Sequence, residues 1–247
     1  MIKFLTLFIL ISANLPAADS VTVETKTYTA VFKDEYRNDT AYYNLPVITA
    51  GAETSLITEL NSYLKSDSIL FDNIDSTIMN YKMCGCGTVG SDYKVLYNKN
   101  GVLSISIVVE TMGAYPDTYY SDVNLNLVTG KKLLITDIIF TDKTEQLANK
   151  LDKIVQQRIT SKLMETLKDN MEAEINSEMS YIRKLFSDDH FTEENLSNFA
   201  VKDGGIMFYF NYGLPHVAKA LSPDEDIWMT NEELSGFYTE YGKSIHR

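Results

Sequence analysis

The sequence contains few cysteines, glycines and prolines, and each shortage excludes a class of protein. Only two cysteines occur in 247 residues, so a disulfide-rich scaffold is excluded and the core must come from apolar burial. Twelve glycines and five prolines are too few for collagen or for a long flexible linker. Apolar residues make up 45% of the chain and charged residues 23%, which is typical of one large globular domain or two small ones.

Basic residues are also scarce. The chain has 22 Lys and Arg against 34 Asp and Glu, which gives a formal net charge of −12. A surface this acidic is repelled by phosphate backbones, so we exclude nucleic acid as a partner. The same charge favours association with basic partners.

The longest apolar run is too short to cross a bilayer. It covers residues 4–11, follows Lys3, and is succeeded by the small residues Ala17 and Ala18. This pattern predicts a cleaved signal peptide over residues 1–18 and a bacterial periplasmic or secreted protein with no membrane span after cleavage. The alternative is an uncleaved amphipathic or anchoring helix, for which a stop-transfer flank is missing.

The first half of the chain alternates between strand and helix patterns. Residues 21–33 and 41–48 have the pattern of strands, and residues 52–64 have helical spacing. Asn-Gly at 100–101 between two apolar runs predicts a β-hairpin. A similar turn at 128–131 predicts a second one, with residues 132–136 as its returning arm.

The second half contains a long stretch without glycine or proline, between Gly130 and Gly204. Its apolar periodicity predicts a helix from Asp142, and its length favours two helices joined near Asp169. Thr230 and Glu233 have the spacing of a capping box. We therefore predict an α+β fold in which antiparallel β-sheets pack against helices in two closely associated subdomains, residues 21–90 and 91–247.

Sequence motifs of catalysis are missing. The chain has no G-x-S-x-G, no phosphate-binding glycine loop and no H-E-x-x-H, and its three histidines are not paired at ligand spacing. We predict a protein that is not an enzyme, with no catalytic residues, no metal and no cofactor.

The two cysteines stand in the segment Cys84-Gly85-Cys86. A disulfide over two positions is easily reduced and would suit redox exchange. A small structural staple, or two free packing residues, are the alternatives, and a zinc site would need two further ligands.

Acidic and aromatic residues are concentrated towards the C-terminus. Residues 187–240 carry eleven acids against Lys202 and Lys219, a local charge of −9. Such a surface favours a cationic ligand, and tyrosine or tryptophan side chains in loops are good interface anchors. The candidate binding residues, which we place in loops or at strand ends, are Tyr115, Asp117, Tyr119, Tyr120, Asp224, Glu225, Asp226 and Trp228.

Several segments together resemble the RsiV family of exported bacterial domains. They are residues 101–105, Gly113-Ala114-Tyr115-Pro116, NLNLVTGKKL at 124–133, Asp137-Ile138, FYFNYGLPHVAKA at 208–220 and Trp228-Met229. The segment before them is similar to the small domain found in front of the deacetylase PdaC. The resemblance covers about residues 22–245.

The resemblance implies recognition rather than catalysis, because in this family an exported domain recognises lysozyme, a strongly basic enzyme. We therefore expect an exported, non-catalytic binding module for lysozyme or another basic protein at the cell envelope. The alternative is an accessory protein that binds or processes cell-wall glycan in association with peptidoglycan.

Overall fold

The computed structural model describes residues 19–169, 186 and 189–246. Groups of strands, which form two mainly antiparallel sheets, and groups of helices follow one another along the described chain, which confirms the α+β prediction. The elements are β1 (Thr22–Lys33), β2 (Asn38–Ala50), α1 (Thr54–Ser62), α2 (Ser66–Ile69), α3 (Ile74–Cys84), β3 (Gly87–Lys99), β4 (Val102–Met112), β5 (Pro116–Asn126), α4 (Ile135–Ile138), α5 (Thr144–Asp169), β6 (Phe199–Lys202), β7 (Gly205–Tyr209), β8 (Asp226–Thr230), α6 (Asn231–Leu234) and α7 (Glu240–Ile245). Short 3-10 turns cover Thr141–Lys143, Glu193–Ser197 and His216–Leu221.

The larger sheet has the order β1-β2-β3-β4-β5. Its neighbours are antiparallel except β2 and β3, which make a short parallel contact at Tyr43 and Ser91. The predicted hairpin between β3 and β4 is confirmed, since Asn100 and Gly101 both have positive φ, at 51° and 73°. Two such residues in succession give the turn that matches the twist of paired strands. The predicted subdomain boundary at residue 90 falls inside β3.

The two faces of this sheet have different coverings. Alternate residues of β4, such as Ile105 and Ile107, are buried in a core that also contains Leu60 of α1 and Tyr81 of α3. The intervening residues point to the other face, because side chains alternate along a strand. There the smaller sheet lies with β6 against β3, β4 and β5.

The smaller sheet has the order β6-β7-β8 and is antiparallel throughout. Its buried residues, among them Phe208 and Met229, form a second core with Leu151 and Val155 of α5. Tyr97 and Val102 of the larger sheet belong to the same core. The strands β3 and β4 therefore contribute to both cores.

Three asparagine side chains join elements that share no ladder. Asn61 of α1 pairs with both the amide and the carbonyl of Ile48, each at 2.8 Å. Asn98 does the same at Val21, at 3.0 and 2.7 Å. Asn124 of β5 donates to the Phe199 carbonyl at 2.7 Å and accepts from the Val201 amide at 3.3 Å. The third of these links connects the two sheets.

The structure corrects two of the predicted elements. The predicted turn at 128–131 is confirmed by the antiparallel bridge between Leu125 and Lys132, but its returning arm is shorter than predicted, because the chain then enters the short helix α4. The helix predicted from Asp142 begins instead at Thr144, after a 3-10 turn. The capping box of Thr230 and Glu233 is confirmed at the start of α6.

Two further predictions fall outside the described residues. They are the signal peptide over residues 1–18 and the second helix after Asp169. In the part of the chain that the structure describes, no helix is both long and apolar enough to cross a membrane.

Replacing Asn124 with leucine tests the link between the sheets. We expect Asn124→Leu to lower the free energy of unfolding by about 2–4 kcal/mol, because two buried backbone groups lose their partners. Urea unfolding followed by circular dichroism measures the loss. Asn44→Leu is the control, since the hydrogen bonds of Asn44 are exposed. An equal, small effect of both substitutions would contradict the role given to Asn124.

Candidate functional site

The face of β3–β5 that points away from α1–α3 forms a groove of about 760 Å³ with the smaller sheet. Its floor is built from alternate residues of the three strands, because every second side chain of a strand points to the same face. The charged and tyrosine residues that line it are Asp92, Asp122, Glu225, Asp226, Lys94, Lys202, Tyr93, Tyr119, Tyr120 and Tyr209. The groove thus combines four carboxylates and two lysines with Tyr120 and Tyr209, whereas Tyr93 and Tyr119 oppose Ile107 and Val109, whose side chains belong to the core on the other face of the sheet.

Strand register sets which groove residues are neighbours. Ser106 on the central strand β4 stands between Lys94 of β3 and Asp122 of β5. One pair further along, Val108 stands between Asp92 and Tyr120. Directly opposed side chains of paired strands lie about 5 Å apart at Cβ. The register therefore brings charged side chains of β3 and β5 to the same floor.

Asp122 is the most enclosed acid of the groove. The hydroxyls of Ser106 and Tyr209 donate hydrogen bonds to its carboxylate, and its Oδ1 atom is buried without a hydrogen-bond partner among the described residues. Burial raises the pKa of Asp122 above its ordinary value of 3.8, and the charge of Asp226 adds to this effect. The hydrogen bonds and the charge of Lys202 act in the opposite direction. The charge of this carboxyl group is therefore only partly compensated by its neighbours in the groove.

Two acids of the β8 end extend this negative charge. Asp226 is paired with Tyr209 across β7 and β8, and Glu225 precedes it in the chain. Burial raises the pKa of Glu225, and repulsion by Asp226 raises it further. Burial also raises the pKa of Tyr209, followed by the charges of Asp122 and Asp226. In both groups, neighbouring negative charges contribute to the raised pKa, and a bound cation would reduce that repulsion.

The structure separates the predicted acidic triplet. Glu225 and Asp226 line the groove. Asp224 instead lies by a second, shallower cavity of about 490 Å³ beside α5, where Arg158 donates to its backbone carbonyl at 2.6 Å. Asp224 is therefore a natural comparison for its two neighbours.

The predicted aromatic anchors are also divided. Tyr119, Tyr120 and Trp228, for which the sequence predicts loops or strand ends, lie inside strands: Tyr119 and Tyr120 in β5 and Trp228 in β8. Because successive strand residues face opposite sides, Tyr120 opposes Val108 in the groove while Tyr119 makes an edge contact with Phe71 at 6.2 Å. Tyr119 nevertheless reaches the groove lining.

The remaining candidates lie outside the groove. Tyr115, at the tip between β4 and β5, is 66% exposed, and Trp228 is 38% exposed. Asp117 forms an ion pair with Lys219 at 2.7 Å, which ties β5 to the 3-10 turn before β8. This pair partly offsets the acidic character of the segment.

Three central residues of the groove, Asp122, Tyr209 and Lys202, are not among the binding residues predicted from the sequence. The signal for Asp122 was its position in β5, where it shares the alternating pattern with Tyr120 and with the buried Asn124. The contribution of β7 could not be found without the packing of the two sheets. In the described part of the chain, no three His, Cys, Asp or Glu residues are grouped so as to hold a metal ion.

Comparisons with known proteins show similarity of fold. No family model matches the chain, and no curated protein matches it. A member of the DUF3298 family from Bacteroides fragilis has a solved structure with 14% identity and a TM-score of 0.58, over 92% of this chain and 97% of that one. A DUF3298 family protein from Pseudomonas aeruginosa PAO1 has 9% identity and a TM-score of 0.61, over 93% and 98%. The chain is thus similar in fold to bacterial DUF3298 proteins over nearly its whole length.

Replacing Asp122 with asparagine tests whether its charge opposes folding. A raised carboxyl pKa means that the folded state disfavours the ionised form, so the charge lowers stability above that pKa and this loss disappears as pH falls through it. We therefore expect Asp122→Asn to unfold at an equal or higher urea concentration than the unmodified protein at pH 7. The difference should shrink towards pH 4. A variant that is less stable at pH 7 would contradict this.

Proposed function

We propose that the protein is an exported, non-catalytic binding module that recognises a basic protein through the groove, with lysozyme as the first candidate. The observation that carries this is the set of four carboxylates around one cavity, together with the rings of Tyr120 and Tyr209. Export is supported by the apolar run and small residues at the start of the sequence.

A lysine or arginine side chain of the partner suits the chemistry of the groove. Its cation would lie between Asp122 and Asp226, whose mutual repulsion it would relieve. The rings of Tyr120 and Tyr209 offer π-faces, and a cation over such a face contributes roughly 0.5–2 kcal/mol. Lys94 and Lys202 would hold off a second cation, which favours one inserted side chain over a wide basic patch.

Long-range charge has a different role from the groove. The net charge of −12 accelerates encounter with a basic protein, an effect that salt screens beyond about 8 Å at physiological ionic strength. Contacts inside the groove are short-ranged, so they set mainly the rate of dissociation.

A second function is favoured by the mixed polar lining. Besides the acids and tyrosines, Asn198, Asn211 and Thr118 line the same groove. Amides and carboxylates paired with aromatic rings also suit sugar hydroxyls, so cell-wall glycan is the second candidate ligand. Titration with soluble peptidoglycan fragments at two salt concentrations discriminates the candidates, because binding of a neutral sugar responds little to salt.

The first binding experiment removes the groove acids at β8. We expect Glu225→Gln with Asp226→Asn to raise the Kd for hen lysozyme about tenfold or more, because a desolvated charge pair is lost. Asp224→Asn removes one charge outside the groove and should change the Kd by less than about threefold. Isothermal titration at low and physiological salt measures both. If Asp224→Asn weakens binding as much as the groove variant, general charge and not the groove is responsible.

The second binding experiment concerns Tyr120, one of the two tyrosines whose rings would contact the partner in the groove. Tyr120→Ala should accelerate dissociation of lysozyme by about tenfold or more and leave the salt dependence of association unchanged, since an exposed ring that becomes buried in an interface contributes ~2 kcal/mol. Tyr115→Ala is the control, because Tyr115 lies at the tip between β4 and β5 and does not line the groove. Surface plasmon resonance gives both rates. Failure of the unmodified protein to bind lysozyme, with binding of peptidoglycan fragments, would favour the second candidate.

A further inference from the structure

The disulfide between Cys84 and Cys86 spans a single glycine where α3 gives way to β3. Cys84 is the last residue of α3 and is exposed, whereas Cys86 is half-buried just before β3. The chain has no third cysteine, so the bond can be exchanged only with a sulfur of another molecule. Such a molecule can reach the sulfur of Cys84 more easily than that of Cys86.

Stabilisation of the fold does not account for this bond. A disulfide restricts the unfolded chain less when the loop that it closes is shorter, and one intervening residue makes this loop nearly the shortest there is. The bond is therefore expected to add little to the free energy of unfolding. The end of α3 is also held without it. The Gly85 amide donates to the Tyr81 carbonyl at 2.7 Å, and Arg37 donates to the Gly85 carbonyl at 2.7 Å.

The residue between the cysteines is fitted closely to its surroundings. Gly85 has φ of +58°, and a Cβ there would lie 2.0 Å from a guanidinium nitrogen of Arg37 and 2.7 Å from the Phe32 ring. Arg37 lies over that ring at 4.8 Å from its centroid and is paired with Asp39 at 2.6 Å. The guanidinium therefore contacts the peptide that joins the two sulfurs.

An apolar surface adjoins the exposed sulfur. Met79 and Met83 lie one turn apart on α3 and are 64% and 74% exposed, and Met83 directly precedes Cys84. Flexible methionine side chains on an exposed surface suit contacts with varied polypeptides.

We propose that the disulfide of Cys84 and Cys86 is an exchangeable one, which oxidises a dithiol of another protein that docks on Met79 and Met83. A thiolate of that protein attacks Sγ of Cys84, the bond between Cys84 and Cys86 breaks, and Cys86 leaves as a thiolate. The second thiolate of the dithiol then attacks its own sulfur in the mixed disulfide and releases Cys84. The partner has gained a disulfide, and this chain holds two thiols.

Exchange with small thiols tests the site first. Incubated in glutathione buffers and then alkylated, the protein should become half-reduced where the disulfides of hen lysozyme stay intact. Of the single variants, Cys86→Ser retains the exposed sulfur and should react with glutathione disulfide about tenfold faster than Cys84→Ser. Equal rates, or resistance to reduction like that of lysozyme, would overturn the proposal.

Docking is tested with a protein substrate. Reduced, unfolded ribonuclease A mixed with the oxidised protein should gain one disulfide for each bond between Cys84 and Cys86 that is reduced to two thiols. Both are counted by mass after alkylation. Met79→Gln with Met83→Gln should slow this reaction at least about fivefold and leave the reaction with glutathione within about twofold. Met164→Gln is the control, since Met164 is exposed on α5. Equal slowing with both reagents would place the effect on the disulfide itself and overturn the docking site.

A structural staple predicts a different outcome for the variant without sulfurs. Cys84→Ser with Cys86→Ser should unfold at the same urea midpoint as the unmodified protein and lose only the exchange reaction. A large fall in that midpoint would show that the bond serves the fold and would overturn the proposal. Lysozyme binding by this variant is expected to be unchanged, so the outcome is independent of the function proposed for the groove.

Discussion

The amide of Asn124 is the contact on which the arrangement of the two sheets depends. β5 is the last strand of its sheet, and no ladder continues from it into β6. The Asn124 side chain supplies the missing donor and acceptor to the Phe199 carbonyl and the Val201 amide, in a buried position where unpaired backbone groups are costly. Two residues earlier on the same strand face stands Asp122, so the link between the sheets also fixes the groove floor.

The groove carries a cost in stability that its surroundings offset only in part. Ser106 and Tyr209 donate to Asp122, yet the pKa of its carboxyl remains raised. Hydrophobic burial on both sides of the larger sheet supplies the stability that permits such a charge. A buried carboxylate in a cavity is typical of sites where ligand binding, and not folding, provides the compensation.

Local patterns predicted the parts of this fold that local forces determine. Alternation identified β1, the Asn-Gly pair identified the turn before β4, and the capping box identified the start of α6. The strand predicted over residues 132–136 ends after one bridge at Lys132, because tertiary packing favours the helix α4 for the residues that follow. The groove could be predicted only at Tyr119, Tyr120, Glu225 and Asp226, since Tyr209 reaches Asp122 through the docking of two sheets that lie far apart in sequence.

The two proposed sites differ in the chemistry that each would recognise. The groove offers carboxylates and tyrosines to a cation, whereas the surface beside Cys84 offers methionine side chains and a sulfur. They are joined by β3, which begins just after Cys86 and carries Asp92 and Lys94 to the groove floor. Binding in the groove should weaken with salt, while apolar docking at α3 should not. Salt dependence therefore assigns a bound protein to one site or the other.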